Sequence, residues 1–281
     1  MSFDVVYGLM RELSKQKAEL NCKGTSTDSN EQIQAFDSGI RETIEIVEEF
    51  SKSIVEFLVA EVATFKSAES ESTCIDLANI IIKSSNGLFE SQKVISASAV
   101  IIRLCSENRK FLQNFENAQE LYDFAFKCIY LCRNDGSNGK QSSEGLLSKT
   151  VKIIRNLIFA KIGIRRKNFI NDLLSAFQMC PDNKAVVTDL LRIFCKLSEN
   201  QKIALKISTD AEVTNVIKAL LSRWTSNNLI IALVLHFANN LIVVDSEFGQ
   251  ALYSPDFMGS LLKIFKEQTS NVSLLVQSFG R

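Results

Sequence analysis

From residue 31 to residue 66, apolar side chains recur at Ile33, Phe36, Ile40, Ile44, Val47, Ile54, Leu58, Val62 and Phe65. Steps of three, four and seven keep them on one face of a single helix. Glu42, Glu45, Glu48, Glu49 and Glu56 fall on the opposite, acidic face. Asp28 and Glu31 have the spacing of a capping box at its start. Ahead of it, Val5, Val6, Leu9, Met10 and Leu13 mark a short amphipathic helix over 3–20, and NCKGTSTDSN (21–30) reads as a polar linker.

Beyond SAESEST the pattern changes to shorter helices that arrive in triplets. Apolar periodicity predicts them over 74–83, 92–105, 109–114 and 117–132, then a polar loop, NDGSNGKQSSEG, over 134–145. Helices resume over 145–160, 166–178, 184–198, 201–207, 210–223, 227–242, 246–252 and 255–267. Thr209 with Glu212 suggests a second capping box, and Ser254-Pro255 puts a cap residue before a proline in the first turn.

The triplets repeat. Every third helix has a leucine near its last turn: Leu104, Leu157, Leu197 and Leu241, with successive steps of 53, 40 and 44 residues. The polar loop at 134–145 accounts for the longer first step. The preceding helices carry Leu173-Leu174, Leu220-Leu221 and Leu261-Leu262, 47 and 41 residues apart. A helical unit near 40–47 residues cannot bury its apolar face alone and must stack on its neighbours. The expected fold is therefore all-α: a right-handed α-solenoid of armadillo-like repeats preceded by a long amphipathic helix. Residues 1–70 form an acidic N-terminal segment, and 71–281 form about four degenerate repeats, the last incomplete.

Composition sharpens this picture in two places. Only two prolines and eleven glycines occur in 281 residues, too few turn residues for a sandwich or an α/β enzyme. Formal charge is zero overall, which argues against general nucleic-acid affinity, but it is unevenly distributed. Residues 1–70 hold 13 acidic and 7 basic side chains, and the remainder 19 and 25. The seven cysteines form no CxxC pair, and Cys105, Cys128, Cys132 and Cys195 sit in apolar runs where a thiol behaves as a small hydrophobe. Without a signal-peptide pattern or an uncharged stretch of spanning length, the expectation is a cytoplasmic protein with no membrane partner.

IIRNLIFA, RIFCKLS and HFANNLIV resemble the third-helix signature of the armadillo-repeat superfamily, an apolar run ending in Asn-Leu. The likeness covers roughly 74–281, although the glycine usual between the first two helices is mostly missing. More narrowly, LLRIFCKLSENQKIALKI, LIIALVLHFANNLIVVDSEFGQALY and FMGSLLKIF resemble the family of armadillo-repeat-containing protein two. That resemblance implies an adaptor in the assembly of motile cilia and flagella. Asn239-Asn240 stands where that family tends to have Gly-Asn.

Enzymatic chemistry finds no foothold. His236 is the single histidine, so no Ser–His–Asp or Cys–His constellation with a spare ligand can be assembled. Cys128 and Cys132 are one helical turn apart on an apolar face, without the spacing of a metal site. GSNGKQS (136–142) departs from a phosphate loop at Asn134, where glycine is required, and at Gln141, where Ser or Thr is required. No cofactor, metal or small-molecule substrate is expected. Asn271-Val272-Ser273 is a sequon that a cytosolic chain would not use.

The armadillo resemblance implies that third helices line a concave groove. The position before each marker leucine and the one four earlier share a face. They are Ala99 and Arg103, Lys152 and Asn156, Arg192 and Lys196, His236 and Asn240. Their basic or amide character predicts a protein-binding groove of Arg103, Lys152, Asn156, Arg192, Lys196, His236 and Asn240 for an acidic segment of a partner. Two function classes stay open: a scaffold that binds through this groove, and a cytoskeletal or regulatory subunit that binds by coiled-coil pairing of the long helix.

Overall fold

The computed structural model describes residues 92–134 and 140–268, together with nine earlier helical positions (45, 49, 72, 75, 76, 78, 79, 81 and 82). All the secondary structure among them is helical, and no helix there is long and apolar enough to cross a membrane. Glu45 and Glu49 are helical and exposed, in keeping with an acidic outer face. The remainder of the helix read over 31–66, the boundary at residue 70 and the last helix from Asn271 lie outside the described residues.

The helices are α1 (Gln92–Glu107), α2 (Arg109–Asn114), α3 (Ala118–Asn134), α4 (Lys140–Phe159), α5 (Phe169–Met179) and α6 (Lys184–Ser198), followed by α7 (Gln201–Ser208), α8 (Ala211–Arg223), α9 (Asn228–Val244), α10 (Ser246–Leu252) and α11 (Pro255–Gln268). Two compact units meet within α3, at Cys128 and Ile129. In the first, α1 packs on α2. Ile101, Ile102, Leu104, Phe111 and Tyr122 are buried there, and the Phe111 and Phe115 rings lie 5.2 Å apart.

The second unit is organised by its third helices. α6 packs between α4 and α9. Near the starts of α4 and α6 the Asn183 amide donates to Glu144, and further along Arg155 pairs with Asp189, so these two helices run parallel. Between α6 and α9 the Cys195 thiol donates to the Leu233 carbonyl and the Asn240 amide to Ser198 Oγ, which makes that pair parallel as well. Phe194 ties the set together, its ring centroid 5.8 Å from Phe177 of α5 and 5.2 Å from Phe237 of α9. Around this stack the long-range hydrogen bonds span a narrow range of separations. Arg155–Asp189, Gln178–Glu212, Asn183–Glu144, Lys206–Lys167, Ser208–Asp245, Lys218–Ala251 and Arg223–Asp182 each join residues 33 to 41 positions apart.

Asx caps recur in the same order along the chain. Asn183 caps α6 and Asn227 caps α9, while Asn200 caps α7 and Asp245 caps α10, in each case by accepting backbone N–H groups of the first turn. All four marker leucines (Leu104, Leu157, Leu197, Leu241) are buried. Asp245 also accepts from Ser208 Oγ at 2.7 Å. That bond, with those from the N–H groups of Phe248 and Glu247, holds its carboxyl below the ordinary value of 3.8. A depressed carboxyl stabilises the fold above the ordinary carboxylate range and loses that contribution as pH falls through the lowered pKa. The melting-temperature advantage of the wild type over Asp245→Asn is therefore expected to shrink between pH 6 and about pH 3. An advantage independent of pH would contradict this account of Asp245.

Three sequence expectations need correction. α4 begins at Lys140, so the last part of the polar loop is helix. Its first turns are held by the Asn183–Glu144 contact and by burial of Leu146 and Leu147, which outweigh poor local propensity. The cap of α8 is Asp210, which accepts from the Glu212 N–H, whereas the Thr209 hydroxyl donates back to the Lys206 carbonyl. Finally, α5 starts at Phe169, and Ala160–Asn168 is not helical where α7 and α10 stand in the next two groups. Its Lys161, Gly163, Arg165, Arg166 and Lys167 offer charge and flexibility but few apolar positions to bury.

Candidate functional site

An open cavity of about 760 Å³ lies across the C-terminal halves of α4 and α6, reaching Leu233 of α9. Arg155, Asn156, Phe159, Lys161, Arg192, Cys195, Lys196 and Glu199 complete its lining. Parallel packing produces this arrangement, because it brings the last turns of successive third helices to one level. Three of the seven sequence-expected residues, Asn156, Arg192 and Lys196, meet here.

The other four stand apart from the cavity. Lys152 lies one turn before Asn156, half-buried, and His236 is exposed on α9. The Asn240 amide donates to Ser198 Oγ at 2.9 Å, and so helps to join α9 to α6. Arg103 belongs to the first unit, where it pairs with Glu107. Ala99, its companion in the register, is fully buried.

Charge around the cavity is only partly balanced. Asp189, 5 % exposed, accepts from Arg155 at 2.6 Å, and its same oxygen lies 3.6 Å from Arg192. That second distance is too long for a hydrogen bond, so Arg192 spends no donor on Asp189. Lys196 pairs with Glu199. Four cations thus face two carboxylates. Cations near helix C-termini also complement the macrodipole, and that would be sufficient reason for Lys196 alone. At the end of α4, however, the last carbonyls already have backbone partners: Lys161 N–H bonds Ile158 O at 2.9 Å and Ile162 N–H bonds Leu157 O at 3.1 Å.

Those two bonds are a Schellman closure, and Lys161 occupies its left-handed position at φ 63°. Glycine belongs there, since a side chain in this conformation costs about 1 kcal/mol. The lysine that takes its place is exposed and belongs to the cavity lining. Phe159, 51 % exposed, supplies an apolar rim beside it. Cys195 is a lining group without reactivity: burial, reinforced by Glu199, pushes its thiol up to about 12, and Sγ donates to Leu233 O at 3.4 Å. The cavity therefore offers charge recognition next to an apolar surface.

Arg155, Phe159, Lys161 and Asp189 were not singled out from the sequence. Asp189 had a legible signal, a carboxylate between the buried Val187 and Leu190 that must find a cation. Lys161 had none, because its role depends on where α4 ends. Comparison with family models, with curated proteins and with solved structures finds no match to this chain.

Proposed function

We propose that this chain is a non-enzymatic scaffold, an α-solenoid of armadillo-like repeats that holds an acidic segment of another protein along α4, α6 and α9. The observation that carries the reading is the alignment of three parallel helices around a cavity with more cations than carboxylates. Hydrogen bonds that recur at similar separations support the solenoid, since stacking of like units gives such a series. Placement in cilium or flagellum assembly is supported by the sequence resemblance alone.

The rival, coiled-coil pairing through the acidic helix at 31–66, predicts the opposite charge preference. Fluorescence polarisation with labelled polyglutamate and labelled polylysine, each titrated with the whole chain, separates the two. The groove reading expects polyglutamate to bind and to weaken as salt is raised, because exposed charges are screened over about 10 Å at 0.1 M. Preference for polylysine would overturn it and favour the long helix.

A further inference from the structure

We propose that the cavity between the C-terminal halves of α4 and α6 is the specificity pocket of the groove. It takes one acidic side chain of an extended partner segment between Lys161 and Arg192, and a neighbouring apolar side chain of that segment against Phe159 and Leu233. This inference rests on the scaffold reading and narrows it from acidic segments in general to an acidic–apolar pair.

Three observations converge on it. The cavity holds unspent donors. Arg192 is ion-paired with Asp189 at 3.6 Å but too far from it for a hydrogen bond, so its N–H groups stay available, and Lys161 pairs with no carboxylate among the described residues. Apolar surface adjoins those donors, since exposed Phe159 lies two residues before Lys161 at the close of α4 and half-buried Leu233 faces the same space. Lys161 is also held in a backbone conformation that glycine adopts with less strain, and the carbonyls at that helix end are already bonded by backbone N–H groups. Helix termination thus gains nothing from the lysine side chain, while the cavity gains a cation. An acidic residue beside an apolar one matches this surface in both charge and polarity, and the open form of the cavity lets the segment continue past it on both sides.

The test uses the whole chain and amidated Gly/Ser peptides with a single Glu and a single Phe at varied spacing, plus matched peptides with Ala in place of Phe. At one spacing the wild type is expected to bind the Glu–Phe peptide more tightly than its Glu–Ala counterpart. Lys161→Gly is expected to weaken that peptide about fivefold while raising the melting temperature by about 2–4 °C. Lys161→Asn, which also tolerates the left-handed conformation, should weaken it equally. Phe159→Ser should abolish the preference for Phe and leave the Glu–Ala affinity unchanged. Unaltered affinity in Lys161→Gly and Lys161→Asn would overturn the pocket. If polyglutamate binds the wild type but no Glu–Phe spacing is preferred, the pocket falls and the groove stands. If polyglutamate does not bind either, both fall.

Discussion

Phe194→Ala is expected to destabilise the fold by about 3–5 kcal/mol, the range for truncating a fully buried phenylalanine. The site gives reason to expect the upper part. Phe194 is fully buried and bridges Phe177 and Phe237, so its removal opens a void between three helices that cannot all close on it. Total stabilities of about 5–15 kcal/mol make this a large fraction of the whole. Trp224, the single tryptophan, lies half-buried at the turn between α8 and α9 and serves as the reporter. Urea unfolding followed by its fluorescence should show a clearly lowered midpoint, with loss of helix by far-UV circular dichroism at the same concentration. A cost below about 1.5 kcal/mol would mean that the ring is not the hinge of the α5–α6–α9 packing.

Helix order was legible because burial in this chain follows the apolar stripe closely. Leu190, Leu191, Phe194 and Leu197 share one face of α6, and all are buried. Polar punctuation gave the ends of α2, α6 and α10 without error. Failures came where a long-range contact or a backbone conformation decides the outcome. The Ser143–Gly145 stretch looks like a loop, yet it is helical because Asn183, thirty-nine residues away, holds Glu144. The Ala160–Asn168 segment has two isoleucines and so passes for the start of a helix, but its four basic residues leave no stripe to bury. Within the candidate site, the register rule located Asn156, Arg192 and Lys196, which share the exposed side of their helices. It misread position 99, because alanine is as acceptable in a core as on a surface, and here it is fully buried. It also could not find which cations are spent. That depends on Asp189 lying 2.6 Å from Arg155 but 3.6 Å from Arg192, a consequence of the parallel packing of α4 and α6.

The groove itself is tested by removing its charge and leaving its packing in place. Reversal at Arg192 would set a second carboxylate beside buried Asp189, so neutral glutamine is the better replacement there and at Lys196. Lys152, half-buried and clear of that pair, tolerates glutamate. The combined variant Lys152→Glu, Arg192→Gln, Lys196→Gln should retain helix content and should melt within a few degrees of the wild type, since partly exposed pairs contribute about 0–1 kcal/mol each. Binding responds differently, because the same side chains meet the ligand together. Loss of three attractive contacts, one of them turned repulsive, amounts to roughly 2–3 kcal/mol, or about thirty- to a hundredfold in affinity.

Polyglutamate affinity of this triple variant, measured by fluorescence polarisation at several salt concentrations beside the wild type, is the deciding observation. A drop of about thirtyfold or more at low salt, with a flatter salt dependence and an unchanged circular dichroism spectrum, is the result expected of a groove along α4, α6 and α9. Wild-type affinity and salt dependence in the folded variant would show that these helices do not hold the acidic segment.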